Sequence, residues 1–195
     1  FDRICKENGL QYLLEGGTLL GAMRHNGFIP WDDDLDVGMP RKDYEKFLGL
    51  APNVLPEDVR LQTPADTPRL AIPFAKLRDT SSFFGESRPD MSTADPSGIY
   101  IDIFPYDDMP KLGRRFEDVL SRACSCTWMR MIYFYNKCAG GFLPALFYSV
   151  IGLFFHAVHG AIRFAFKILN LILPSENYYL CLEYMDVFPY PRRQK

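Results

Sequence analysis

Cysteine is scarce and scattered in this 195-residue chain: Cys5, Cys124, Cys126, Cys138 and Cys181 form no Cys-x-x-Cys pair. An odd number of thiols at irregular spacing excludes a disulfide framework and the usual zinc knuckles, and it predicts reduced thiols in a reducing compartment, the cytoplasm. Net charge is also nearly lacking, at -2, so nothing in the charge balance points to nucleic acid. There is no internal repeat and no low-complexity run, and the 48% of hydrophobic residues excludes a disordered chain. A chain of this length buries about 70% of its unfolded surface and needs no covalent staples.

The small net charge conceals two opposed parts. Residues 111–175 carry eight basic side chains against Glu117 and Asp118, a balance of +6, which leaves -8 for the rest. The expected division is therefore 1–110, an acidic catalytic core, and 111–195, a basic and apolar helical segment. The start at Phe1 and the end at Lys195 predict a piece of a longer protein.

Along the front part, Phe1 to Asn8 reads as a short amphipathic helix and Leu10 to Leu14 as a strand. Gly16-Gly17 breaks that strand, and Thr18 to Arg24 reads as a helix with Thr18 near its start. After the Asn26-Gly27 turn, the alternation from Asp34 predicts a strand with Asp34 and Asp36 on one face. Arg41 to Leu48 reads as a helix; Val59 to Gln62, Phe74 to Arg78 and Ile99 to Phe104 read as strands, with a loop from Asp79 to Ser97.

The back part reads as helical, with segments from Gly113 to Tyr135 and from about Phe142 to Leu173. No formally charged residue occurs from Cys138 to Ile162, 25 positions, which meets the length criterion for a membrane span. Ser149, Gly152, His156, His159, Arg163, Lys167 and Asn170 nevertheless recur three or four apart. That stripe favours an interfacial helix, or one packed in protein, over a span. His156 and His159 have no carboxylate or thiol nearby in sequence and belong to the stripe rather than to a metal site.

The chemistry concentrates around the aspartates. Two carboxylates on one strand face need a neutralising cation, and Mg²⁺ takes one or two carboxylates, keeps water and accepts substrate phosphate oxygens. Alone, such a pair is as readily an idle acidic turn. Two neighbours raise its weight. Gly16-Gly17-Thr18 starts a helix whose backbone N–H groups suit a phosphate, and Asp102 lies between Ile101 and Ile103, where an unpaired carboxylate is costly. An EF-hand fails, because Val37 stands where that loop needs Gly and Asp43 where it needs Glu. A nucleotide-sugar glycosyltransferase normally has an α/β unit ahead of its Asp-x-Asp, and only 31 residues precede Asp32 here; a start further upstream would restore that reading, which stays open.

The string from Gly16 through Thr18-Leu19-Leu20-Gly21-Ala22-Met23-Arg24-His25 to Ile29-Pro30-Trp31-Asp32-Asp33-Asp34-Leu35-Asp36-Val37-Gly38-Met39 resembles the signature of the LicD family. Arg41-Lys42-Asp43-Tyr44 extends it, and Ile101-Asp102-Ile103-Phe104-Pro105 is similar to the family's second block. The resemblance implies an α/β (α+β) fold, a nucleotidyltransferase-like small mixed sheet with helices, here followed by an all-helical C-terminal part. It also implies transfer of a phosphocholine-like group from a CDP-linked donor to a hydroxyl of a cell-surface glycan, a lipopolysaccharide or teichoic acid precursor. Ribitol phosphate transfer occurs among its relatives. In that scheme Asp34, Asp36 and Asp102 match the metal-binding and catalytic carboxylates, with Asp32 as an alternative ligand and Mg²⁺ or Mn²⁺ as the cofactor. The family's further acidic-aromatic block and its Tyr-Gly-Asp-like segment are not found in this sequence.

Gly16, Gly17, Thr18, Arg24, His25, Lys76 and Arg78 are the expected phosphate contacts, with a structural ion pair as the competing reading for Arg24 and His25. Asp102 is the candidate acceptor of the incoming hydroxyl's proton. Trp31 is weighed as loop packing ahead of base stacking. Two other reactions remain open: nucleotidyl transfer with pyrophosphate release, and a non-catalytic, membrane-docked glycan-binding protein. The expected location is the inner face of the cell membrane, with peripheral contact through residues 142–173.

Overall fold

The computed structural model describes residues 1–63, 66, 74–84, 98–110 and 142–173, the backbone of 175–180, and five residues between 119 and 130. The chain divides into two compact units, Phe1–Tyr106 and Asp107–Lys195, and each is described by itself.

In the first unit, α1 (Asp2–Asn8) ends at Gly9, whose left-handed conformation lets its N–H reach back to the last turn. Strand β1 is only Leu13–Leu14, α2 is Gly16–His25 and β2 is Asp36–Pro40. Helix α3 follows as Arg41–Val54, and β3 is Val59–Gln62. Strands β4 (Ala75–Asp79) and β5 (Tyr100–Pro110) complete the sheet, in the order β1-β2-β5-β4-β3. In that order β2 and β5 run parallel, while β1 with β2, β5 with β4 and β4 with β3 are antiparallel. This is the mixed α/β sheet that the sequence leads one to expect.

The differences from the expected elements have local causes. Helix α2 begins two residues early because Leu19 N–H bonds to the Glu15 carbonyl, so both glycines enter the first turn. The expected strand from Asp34 starts two residues later. Leu35 already accepts a hydrogen bond from Asp102 N–H at 2.9 Å, but the ladder proper opens at Asp36. Helix α3 runs past Leu48 because Phe47 and Ala51, a turn apart, are both buried against the core. Pro52 is tolerated in its last turn, and Leu55 N–H closes the helix on the Ala51 carbonyl.

Strand alternation sends the two faces of this sheet to different uses. Val37, Met39, Ala75, Leu77 and Ile103 join Ile4 and Cys5 of α1 and Tyr44, Phe47 and Ala51 of α3 in the core. The Phe1 ring meets Phe47 edge-on at 5.2 Å. The other face carries Asp36, Asp102, Lys76 and Gln62. Cys5 and Cys126 are free thiols; the other three cysteines lie outside the described residues.

The second unit contains α4 (Phe142–Ile172) and β6 (Ser175–Leu180). A strand therefore stands in the part expected to be all-helical. The expected helix from Gly113 to Tyr135 lies largely outside the described residues. Phe47→Ala would remove a ring with no solvent exposure and is expected to cost about 3–5 kcal/mol. Met23→Ala, at a site 77% exposed, is expected to cost less than about 0.5 kcal/mol. Urea denaturation of both variants measures the contrast.

Candidate active site

The site is written across the sheet as a single row. Asp36 faces Asp102 in the parallel register of β2 and β5, Asp102 faces Lys76 of β4, and Lys76 faces Gln62 of β3. Residues directly opposite one another point to the same face. Register alone therefore places two carboxylates side by side with an ammonium group next to them.

Lys76 Nζ lies 2.7 Å from Asp102 Oδ1 and 3.0 Å from Oδ2. The same ammonium group stands 3.6 Å from the Tyr100 ring centroid. Arg78, one row along and 1% exposed, donates from Nε to Gln62 Oε1 at 2.7 Å and from Nη1 to the Gly98 carbonyl at 3.0 Å. Its guanidinium also stacks on Tyr100, 4.6 Å from the centroid. Lys76 and Arg78, the expected contacts of donor phosphates, are thus engaged by protein groups. Both are buried with protein partners, and Lys76 is the cation that Asp102 requires.

Helix α2 brings its N-terminus to the row. Glu15 N–H bonds to the Asp36 carbonyl at 3.1 Å, and Thr18 Oγ1 accepts a hydrogen bond from Asp36 N–H at 2.9 Å. Thr18 therefore fixes the backbone of the aspartate. Gly16 has φ +51° and lies close to the Asp36 carboxylate. A side chain at Gly17 would occupy the volume of the Asp32 carboxylate, so glycine here is a matter of space. The N–H groups of a first helical turn have no intrahelical acceptor, and this turn opens beside Asp32 and Asp36.

Asp34 lies in extended chain two residues ahead of β2, half-buried. Burial, then Asp32 and Asp33, raises its pKa. Asp36 is pushed up to about 7, first by burial and then by Asp34, Asp102, Glu15 and Asp32. Asp102 rises to about 6 through burial, against the opposing pull of Lys76.

Glu15, absent from the sequence-based candidates, rises to about 7 through burial, opposed by the nearby Tyr106 hydroxyl. An acidic residue between a strand and a Gly-Gly turn was the available signal. Glu15 Oε2 and Asp32 Oδ2 are buried and find no hydrogen-bond donor among the described residues.

These oxygens form a hard, anionic donor set short of positive charge, which suits Mg²⁺ or Mn²⁺. No three such groups among the described residues are already gathered around one point. The expected Asp34, Asp36 and Asp102 set is therefore not preassembled, since Lys76 holds Asp102. Mg²⁺ takes one or two carboxylates, a number that Asp34 and Asp36 could supply.

Arg24 and His25 fall at the far end of α2 and are exposed. Among the described residues neither is ion-paired to an aspartate. Trp31 is 82% exposed and, among the described residues, meets the His25 ring edge at 6.5 Å. A cavity of about 510 Å³ beside Asp33 and Asp34 is walled by Ile4, Leu55, Leu77 and Ile101. Those walls belong to the core face, not to the row of charges.

The family model for the LicD/FKTN/FKRP nucleotidyltransferase domain matches residues 9–118, the stretch that contains the whole row. The chain belongs to the LicD family. It is 32% identical over 140 residues to the lipopolysaccharide cholinephosphotransferase LicD of Haemophilus influenzae, covering 67% of this chain and 51% of that protein. It is 57% identical over 40 residues to human ribitol 5-phosphate transferase FKRP, which is 20% of this chain and 8% of the relative. An uncharacterised protein of Rickettsia typhi is 50% identical over 49 residues, 25% of this chain and 16% of its own. The chain spans about half the length of the Haemophilus relative.

Raised carboxylate pKa values favour the folded state where those groups are protonated and lose that contribution as pH rises through the folded values. Glu15, Asp36 and Asp102 rise from 4.5, 3.8 and 3.8 to about 7, 7 and 6. The metal-free protein is therefore expected to melt several degrees higher at about pH 5 than at about pH 8. Mg²⁺ should narrow that gap; thermal melts by circular dichroism at both values check it. Lys76→Met leaves a buried carboxylate unpaired and is expected to cost about 3–5 kcal/mol in urea denaturation.

Proposed function

We propose that this LicD-family chain is the core of a phosphotransferase that moves a substituted phosphate, phosphocholine or a close analogue, from a CDP-linked donor to a hydroxyl of a cell-surface glycan. The observation that carries the reading is Asp36 in register with Asp102, beside a Gly-Gly-Thr helix start whose threonine holds the Asp36 backbone. Similarity to a cholinephosphotransferase and to a ribitol 5-phosphate transferase supports the transferred class.

A divalent cation, when bound, would neutralise the donor diphosphate and stabilise the charge that develops on it. Asp34 and Asp36 would hold that ion. The α2 N–H groups at Gly17 and Thr18 would meet the phosphates without adding a side chain. The acceptor oxygen forms a bond to the donor's substituted phosphorus, the bond from that phosphorus to the bridging oxygen breaks, and CMP leaves. The hydroxyl proton passes to a carboxylate. Glu15 fits this task better than Asp102: Glu15 Oε2 has no donor among the described residues, whereas Asp102, although its Oδ1 likewise makes no hydrogen bond among them, is ion-paired to Lys76. Lys76 and Arg78 act by holding Asp102 and Tyr100 in place. The acceptor precursor is made at the inner face of the cell membrane, the location this reading assigns to the enzyme.

With CDP-choline and a lipopolysaccharide precursor, Asp34→Ala and Asp36→Ala are each expected to lower metal-dependent CMP release about a hundredfold or more. Glu15→Gln is expected to lower kcat by about 10²–10⁴ with the fold intact. Mass spectrometry of the acceptor separates the reactions. Addition of phosphocholine supports the reading, whereas addition of CMP with pyrophosphate release, or full turnover by Asp36→Ala, would overturn it.

A further inference from the structure

Helix α4 is built the opposite way from a helix of a water-soluble domain. Its inward face is centred on His159 and Phe166, which are 4% and 1% exposed. Asn170 Nδ2 donates to the Asp108 carbonyl at 2.7 Å, so polar groups are turned to the protein. The opposite face carries Leu146, Val150, Leu153, Phe164, Ile168 and Leu171, which are 39 to 78% exposed. At 100° per residue these six fall within a sector of about 60°. An unbroken apolar stripe of this length far exceeds the scattered apolar residues of ordinary surfaces.

Charge supplies the second half of the argument. Residues 142–172 contain no acidic side chain, and their formal charges are Arg163 and Lys167. Both are exposed, as are Ser149 and His156. By helical geometry these four line one flank, between the packed face and the apolar face. The stripe read from the sequence thus splits, with His159 and Asn170 inward, Ser149, His156, Arg163 and Lys167 on the flank, and Gly152 half-buried between them. A polar flank running the helix length, with basic ends able to reach upward, is the arrangement of a helix lying in the membrane plane. A span would place Arg163 and Lys167 within the apolar length instead.

We propose that the outward face of α4 lies on a bilayer surface bearing anionic head groups, its apolar stripe sunk to the acyl boundary and Arg163 and Lys167 at head-group level. This names the surface through which the proposed transferase reaches its acceptor, and it rests on that reading only for the direction of the membrane.

The test uses the full chain with sedimented vesicles of phosphatidylcholine alone or with roughly a quarter phosphatidylglycerol. Binding to the anionic vesicles is expected to be about tenfold tighter or more, and to weaken in high salt. Arg163→Glu with Lys167→Glu should return it to the neutral-vesicle level, and Leu153→Asp with Phe164→Asp should abolish it. These positions face outward, so an unchanged melting curve confirms that the variants fold.

Absence of binding to either vesicle would overturn the proposal, as would binding untouched by Leu153→Asp with Phe164→Asp. Retention after a carbonate wash would make α4 a span. A dimer in lipid-free ultracentrifugation that Leu153→Asp dissociates would assign the face to a second copy. Turnover of a soluble acceptor without vesicles is read separately: its loss sinks the transferase reading and leaves the vesicle result standing.

Discussion

The parallel register of β2 and β5 sets Asp36 against Asp102 on the same face of the sheet, and much of the first unit can be understood as a response to that crowding. Two carboxylates at neighbouring sheet positions repel and resist desolvation together. Lys76, at the next position in the row, relieves one of them by contacting both oxygens of Asp102. Tyr100 lies beneath the ammonium group, and Arg78 with Gln62 and Gly98 anchors the neighbouring row. Asp36 is left with backbone partners, with burial and four nearby carboxylates holding it near 7.

The helix-covered face makes this arrangement tolerable. Val37 and Ile103, neighbours in sequence of the two aspartates, are buried with α1 and α3. Strand alternation thus ties each carboxylate of the row to a buried apolar anchor on the opposite face. A slip of one residue in β2 or β5 would exchange the faces and bury the carboxylates in the hydrocarbon core. The register that creates the site is therefore the register that the core protects.

Much of this was legible in the sequence because the signals were local. The Gly16-Gly17-Thr18 turn, the Asn26-Gly27 turn and the alternation of β3, β4 and β5 depend on neighbours a few residues away. The partnerships were not legible. Lys76 and Arg78 read as free phosphate ligands, since nothing near them in sequence shows that Asp102 and Gln62 stand across the strands. Glu15 escaped notice because only the approach of α2 to Asp36 and Tyr106 gives it a role. In α4 the polar periodicity was plain from the sequence, but which side of the stripe faces the protein was not.

The sequence by itself determined the kinds of elements, the acidic and basic division, and the family block with its aspartates. Composition, turn chemistry and periodicity are properties of short stretches, and a linear string holds them completely. Tertiary structure decided which aspartate owns a cation, which carboxylates share a buried space and which face of α4 stays outside. Those outcomes depend on distances between residues far apart in the chain, and burial magnifies each charge only after the sheet has closed around it.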